Sequence, residues 1–208
     1  MALSKIDVEN MVTGEVNVAN GGTGLSSGTT NQFLKFTGST TLASADDNKG
    51  KVLQVQYDNK ASTAETTNKA NGGSYADLLS VNITPSASSS TIAITAMVTT
   101  GASSSSDGAC ILRCLRDSTQ IAGGTASGDR ISSTTGRKTA SVDANTIVTE
   151  TIVWMDSPNT TSQVTYKVQF ASRGGGAGTA YVGRTGNDSN SSEHQRTSSH
   201  LRVEEIGA

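Results

Sequence analysis

From Gln163 to Phe170 apolar and polar residues alternate without a break: Val164, Tyr166, Val168 and Phe170 fall on one side, Thr165, Lys167 and Gln169 on the other. A period of two sends successive side chains to opposite faces of an extended chain, so this segment is expected to be a strand with one buried face. The same reading applies to Leu79, Val81 and Ile83, to Ile92, Ile94, Ala96 and Val98, and to Cys110, Leu112 and Cys114. Thr146 to Trp154 reads as a long strand, with 163–170 as its expected partner. Val52 to Tyr57 alternates in part and stops before Asp58-Asn59; Thr179 to Val182 and His200 to Ile206 complete the series. Roughly eight to ten strands separated by turn signals suit an antiparallel sandwich.

Composition supports this class. Aromatics make up 4% and charged residues 16%, and Lys, Glu and Leu are too sparse for a set of amphipathic helices. Gly, at 22, together with abundant Ser and Thr, suits short strands joined by tight turns. The expected fold is all-β: an antiparallel, jelly-roll-like β-sandwich head over 49–208, preceded by an extended N-terminal arm over 1–48. The arm is poor in apolar residues, and Asn20 to Gly28 holds four glycines, so it cannot bury enough surface to fold alone. Within it, Ser4 to Met11 reads as a short helix or an extended stretch, Thr13 to Val18 alternates, and Gln32 to Phe36 is a short apolar patch. A head with modest strand side chains is expected to gain stability by association.

Several functions are disfavoured. A net charge of −2 with scattered basic residues gives no general pull on nucleic acid or anionic lipid. No apolar run approaches the length of a membrane-spanning helix. Met1 to Asn10 has neither the basic flank nor the apolar core of a secretion signal, so the chain is expected to stay in the cytoplasm that makes it unless it leaves inside an assembly. Cys110 and Cys114 on one strand lie roughly 13 Å apart, too far for a disulfide, and read as small buried apolar groups. No metal or cofactor site is expected, because no further Cys and no His lies near this pair in sequence.

Catalytic patterns fare no better. His194 and His200 are the two histidines, and a hydrolase triad would need one beside an activated Ser and an Asp. Gly124 to Gly128 has the wrong glycine spacing for a nucleophile elbow, and Gly174 to Gly178 lacks the Lys-Ser or Lys-Thr pair of a phosphate loop. Glu204 and Glu205 point to opposite faces of a strand, which does not make a glycosidase pair. What remains is surface. Tyr181, Arg184, Asn187, Asp188, Asn190, His194 and Arg196 cluster in or beside one polar loop and are candidate contacts for a host glycan or protein.

Val16-Asn17-Val18-Ala19-Asn20-Gly21-Gly22-Thr23-Gly24 resembles an element found in many bacteriophage tail-fibre and virion-appendage proteins. There it commonly follows a Thr-Gly segment, here Thr13-Gly14, and precedes one like Gln32 to Gly38; the match covers about 12–45. Adjacent glycines permit positive φ and close chain approach, as a tight bend or a threefold axis requires. The remainder looks like trimeric jelly-roll heads of phage proteins, similar in pattern to tumour necrosis factor and complement globular heads. Ile111 to Thr119, a strand ending in an Arg-Asp turn, and the final Leu201 to Ile206 strand carry that likeness, although Ser118 stands where glycine is common. The resemblance implies a non-enzymatic virion structural protein, a homotrimer, located in the particle. It would dock on another virion protein through Val16, Val18, Asn20, Gly21, Gly22, Thr23 and Gly24 and present its head to the host surface. A capsid decoration (cement) protein, a capsular polysaccharide depolymerase and a cellular adhesin head are the alternatives.

Overall fold

In a computed structural model of the chain, the alternating segments form strands that bury their apolar sides against one another. The structure describes residues 23, 25, 28–39, 41–45, 47, 49–103, 109–138, 144–173 and 178–208. The chain divides into two compact units, Met1–Lys49 and Gly50–Ala208.

In the first unit, β1 (Phe33–Phe36) pairs antiparallel with β2 (Leu42–Ala45), matching Phe36 with Leu42. The Thr37 amide donates to the Thr41 carbonyl and closes the turn. Both strands are short, and β1 has no buried face: Phe33, Leu34 and Phe36 are 59%, 51% and 70% exposed. The expected Ser4 to Met11 and Thr13 to Val18 segments lie outside the described residues.

The second unit is an all-β sandwich of two antiparallel sheets. Its strands are β3 (Val52–Lys60), β4 (Ala64–Thr66), β5 (Ala76–Ile83), β6 (Thr91–Ala102), β7 (Ala109–Arg116), β8 (Thr119–Ile121), β9 (Thr135–Lys138), β10 (Ile147–Asp156), β11 (Val164–Ala171), β12 (Ala180–Val182) and β13 (Ser199–Ile206). In the first sheet β6 is central. β10 lies along one side of it; β13 and β12 share the other side, followed outward by β3 and β4 respectively. In the second sheet β11 lies between β5 and β7, and β8 and β9 both add to β7.

The core sits between the sheets. Ile92, Ile94, Ala96, Val98, Ile152, Leu201 and Val203 face Leu79, Val81, Ile83, Cys110, Leu112, Cys114, Val164, Tyr166, Val168 and Phe170. Each set is the alternate-residue face that the period of two picks out. Cys110 and Cys114 are buried and form no disulfide, and burial pushes the Cys114 thiol up to about 12, with the Asp156 carboxylate adding to the effect.

One expected pairing is overturned. β10 does not pair with β11: β10 runs antiparallel to β6, and β11 lies between β5 and β7 in the opposite sheet. The seven-residue connection from Ser157 to Gln163 crosses from one sheet to the other instead of turning back as a hairpin. The reason lies in Asp156, Arg116 and Tyr166. Arg116 Nη1 donates to both Asp156 oxygens at 3.0 and 2.8 Å, and the Tyr166 hydroxyl donates to Oδ2 at 2.6 Å, which ties the end of β10 across the interior to β7 and β11. β4 and β9 are further strands without a sequence signal, three and four residues long and rich in Thr, Gly and charge.

Candidate functional site

A strand-interior glycine organises the surface at one end of the first sheet. Gly101, in β6, pairs with Tyr181 of β12, and a Cβ built there would lie 2.4 Å from the Arg184 carbonyl oxygen. Gly186 is as tightly placed, 2.4 Å from the Ala102 carbonyl. The absence of both side chains lets the chain after β12 fold down onto the outer face of its own sheet. The Gly186 and Asn187 amides then donate to the Ala144 carbonyl, and Arg184 bridges to Arg196 as the chain returns toward β13.

This excursion brings together the residues expected to contact a host surface. The Arg184 guanidinium lies 4.0 Å from the centre of the Tyr181 ring and forms ion pairs with Glu65 and, at 3.3 Å, with Asp188. Arg196 reaches the other Asp188 oxygen at 2.5 Å. Asn187 Nδ2 donates to Asn145 Oδ1 at 2.7 Å, and His194 Nε2 lies 3.0 Å from the same oxygen. Tyr181, Arg184, Asp188 and Arg196 thus form one side-chain network and Asn187 and His194 a second, adjoining where Asn187 precedes Asp188, while Asn190 is an exposed bend residue. Glu65 and Asn145 complete the two networks, and sequence reading missed them because they come from β4 and the β9–β10 connection. Beside Tyr181 lies a depression of 330 Å³ lined by Glu65, Thr66, Thr67, Thr179 and Tyr181, polar and open, with a single aromatic wall.

His194 also meets a serine. Its Nδ1 is 2.9 Å from Ser189 Oγ and 3.1 Å from the Ser189 carbonyl oxygen, while Asn145 holds Nε2. With Asn145 Oδ1 accepting from Nε2–H, Nδ1 is left to accept the Ser189 hydroxyl proton. The nearby Ser191 amide donates to the Ser189 carbonyl and is not directed at a reacting group. The contact closes the turn from Ser189 to His194.

The paired glutamates separate as expected. Glu204 points outward and pairs with Arg202, whereas Glu205 is fully buried. Burial by itself would raise the Glu205 pKa; hydrogen bonds from the Ser86 hydroxyl and amide and from Gln54 Nε2, at 2.6, 2.7 and 2.6 Å, outweigh it and hold the carboxyl at about 2. The carboxylate therefore acts as a clasp between β3, β13 and the loop after β5. Among the described residues no group of three or more His, Cys, Asp or Glu side chains could hold a metal ion. No helix among them is long and apolar enough to cross a membrane.

Of the expected docking residues, Thr23 is described and is exposed in coil; Val16, Val18, Asn20, Gly21, Gly22 and Gly24 lie outside the described residues, as do Gly174 to Ala177.

No family model matches the chain, and no curated protein matches it. Among solved structures, the infectious bursal disease virus VP2 subviral particle is similar to 83% of this chain at 14% identity and a TM-score of 0.36, with the match covering 41% of the VP2 chain.

Proposed function

We propose that this protein is a bacteriophage virion structural protein, a tail or head fibre or appendage. It attaches to the particle through residues 1–48 and presents its sandwich, in several copies, to the host surface. The observation that carries the reading is β1. Three large apolar side chains, Phe33, Leu34 and Phe36, stand exposed on a four-residue strand of a two-stranded hairpin. Such a hairpin is marginal in water by itself and is stabilised when a partner covers it. Eight residues separate it from the Gly21-Gly22-Thr23-Gly24 element on which the virion resemblance rests.

The Tyr181–Arg184 cluster supports the second half of the proposal. An aromatic ring stacked by a guanidinium, beside an open depression lined by Glu and Thr side chains, suits glycan or peptide contact. Weak single sites reach useful strength when copies are displayed together.

The decisive experiment compares particles assembled with the full chain and with a chain lacking residues 1–48. The truncated chain should fold but fail to enter particles; normal incorporation would sink the docking claim. Locating the chain in a particle density map separates a fibre from a capsid decoration protein. Release of reducing sugar from host capsule, abolished by alanine at an Asp or Glu, would instead establish a depolymerase.

A further inference from the structure

We infer that the outer face of the first sheet is a contact surface for a second copy of this chain, related by a two-fold axis that crosses β13 at Val203. The proposal stands on the pattern of that face and is independent of the virion reading.

Successive outward rows run across four strands. One row holds Tyr57 of β3, Arg202 of β13, Thr95 of β6 and Val153 of β10; the next holds Val55, Glu204, Ala93 and Met155. The β3 and β10 members of both rows are large, apolar and exposed. Val55, Tyr57, Val153 and Met155 are 40%, 69%, 72% and 55% exposed, and Met97 in the adjoining row is 43% exposed. Exposed apolar side chains thus stand on both flanks of the face, on β3 and on β10, with the Arg202 and Glu204 pair of β13 between them, and exposed apolar surface of this kind marks a partner site.

The occupant follows from the arrangement of the two rows. An axis in the plane between two stacked faces, perpendicular to the strands, keeps strand order and reverses strand direction. With the axis over Val203, each strand lies on its own copy and the two rows exchange. Tyr57 then meets Val55 of the second copy, Val153 meets Met155, and Thr95 meets Ala93. Arg202, whose guanidinium pairs within its own chain with Glu204, meets the second Glu204 as well. Every position finds a chemically matched partner, which is the self-complementarity a two-fold contact requires. An axis along the strands would instead set Arg202 on Arg202. Stacked sheets settle about 10 Å apart and within about 30° of parallel, which leaves these matches in place. Two rows across four strands make a small contact beside the about 800 Å² per partner of a standard interface, so weak association is expected.

The opposite sheet provides the contrast. Its outward side chains bond to one another: Arg113 Nε to Gln169, Gln169 to Asp77, Thr165 to Asn82, with Lys167 4.0 Å from Asp77. Those polar rows are satisfied within the sheet, whereas Tyr57, Val153 and Met155 on the first sheet stand exposed.

The test is sedimentation of the full chain from about 1 to 200 μM, a range chosen to bracket weak interfaces. The wild type should go from monomer to dimer, or to even-numbered assemblies. Val153→Glu, at a site too exposed to disturb folding, should weaken association at least tenfold. Arg202→Glu should do the same by setting like charges together, and the double exchange of Arg202→Glu with Glu204→Arg should restore it. Circular dichroism checks that each variant is folded. A monomer across the whole range would overturn the proposal, as would a trimer indifferent to these variants. A monomer whose Val153→Glu form no longer enters particles would assign the face to a different virion protein and overturn the pairing, leaving the virion reading intact.

Discussion

The two outer faces of the sandwich are built on the same kind of strand and end up as opposite surfaces. On the second sheet, polar side chains of β5, β7 and β11 satisfy one another in register: Asp77, Gln169 and Arg113 form a row, and the Arg113 guanidinium stacks 3.8 Å from Tyr75. On the first sheet the outward positions divide. At the Gly101 end the Gly183 to Thr197 excursion lies over the sheet and covers it with ion pairs. At the Val203 end nothing from the described residues covers Tyr57, Val153 and Met155. The difference teaches that alternation identifies the buried side of a strand but not the fate of the other side. That fate depends on whether a neighbouring loop, water or another molecule takes it up.

The largest effect is expected where the covering is anchored. Gly101→Val forces a side chain into the Arg184 carbonyl and should cost about 3 kcal/mol of unfolding free energy. It should also expose the Tyr181 cluster to hydrogen exchange; an unchanged midpoint in urea would refute the anchoring role.

Next comes the interior that both faces share. Glu205→Ala removes a fully buried carboxylate and leaves Ser86 and Gln54 without their acceptor, at a cost of about 2 kcal/mol. The same group sets an acid limit. Its pKa is about 2 in the folded chain against an ordinary 4.5, so its contribution is complete above the ordinary value and is lost as pH falls from there toward 2. Thermal melts at descending pH should show this loss in the wild type and a shallower one in Glu205→Gln. Cys114 sets the alkaline counterpart. With its thiol raised from 9.0 to about 12, stability is complete below 9 and falls as pH rises through that interval, and Cys114→Ala should blunt the fall.

On the second sheet, Arg113→Ala breaks a part-buried hydrogen bond and a ring contact and should cost about 1 kcal/mol without touching association. The smallest stability effect should come from the first sheet's bare face. Val153→Thr is expected to stay within about 0.5 kcal/mol of the wild type in a dilute melt while lowering association. A large change in the dilute melt would mean that the face is already covered within the monomer.

Much of the strand inventory was legible. Val164 to Phe170 and Ile92 to Val98 bury the alternate residues that the period of two selects, because a one-residue slip would put that whole set into water. The partnership expected for Thr146 to Trp154 was not legible. Sequence proximity favoured a hairpin, whereas the Asp156–Arg116–Tyr166 bonds join residues 40 and 10 positions apart and send the connection across the sandwich. For the polar loop, its members were visible as a run near the C-terminus, but Glu65, 119 positions from Arg184, was not. Gly101 did carry a signal: a glycine interrupting the run Thr91 to Ala102 marks a close backbone approach.

The sequence by itself determined the all-β class and the inward side of most strands, because both follow from local alternation and from the cost of exposing an apolar side. Only the tertiary structure decided which strands share a sheet, that Glu205 is buried and bonded while Glu204 faces outward into a salt bridge, and that one outer face satisfies its polar rows while the other leaves Tyr57, Val153 and Met155 exposed. Those outcomes depend on partners tens of residues away, and pairing across such distances is set by the geometry of packing, which no short stretch of chain contains.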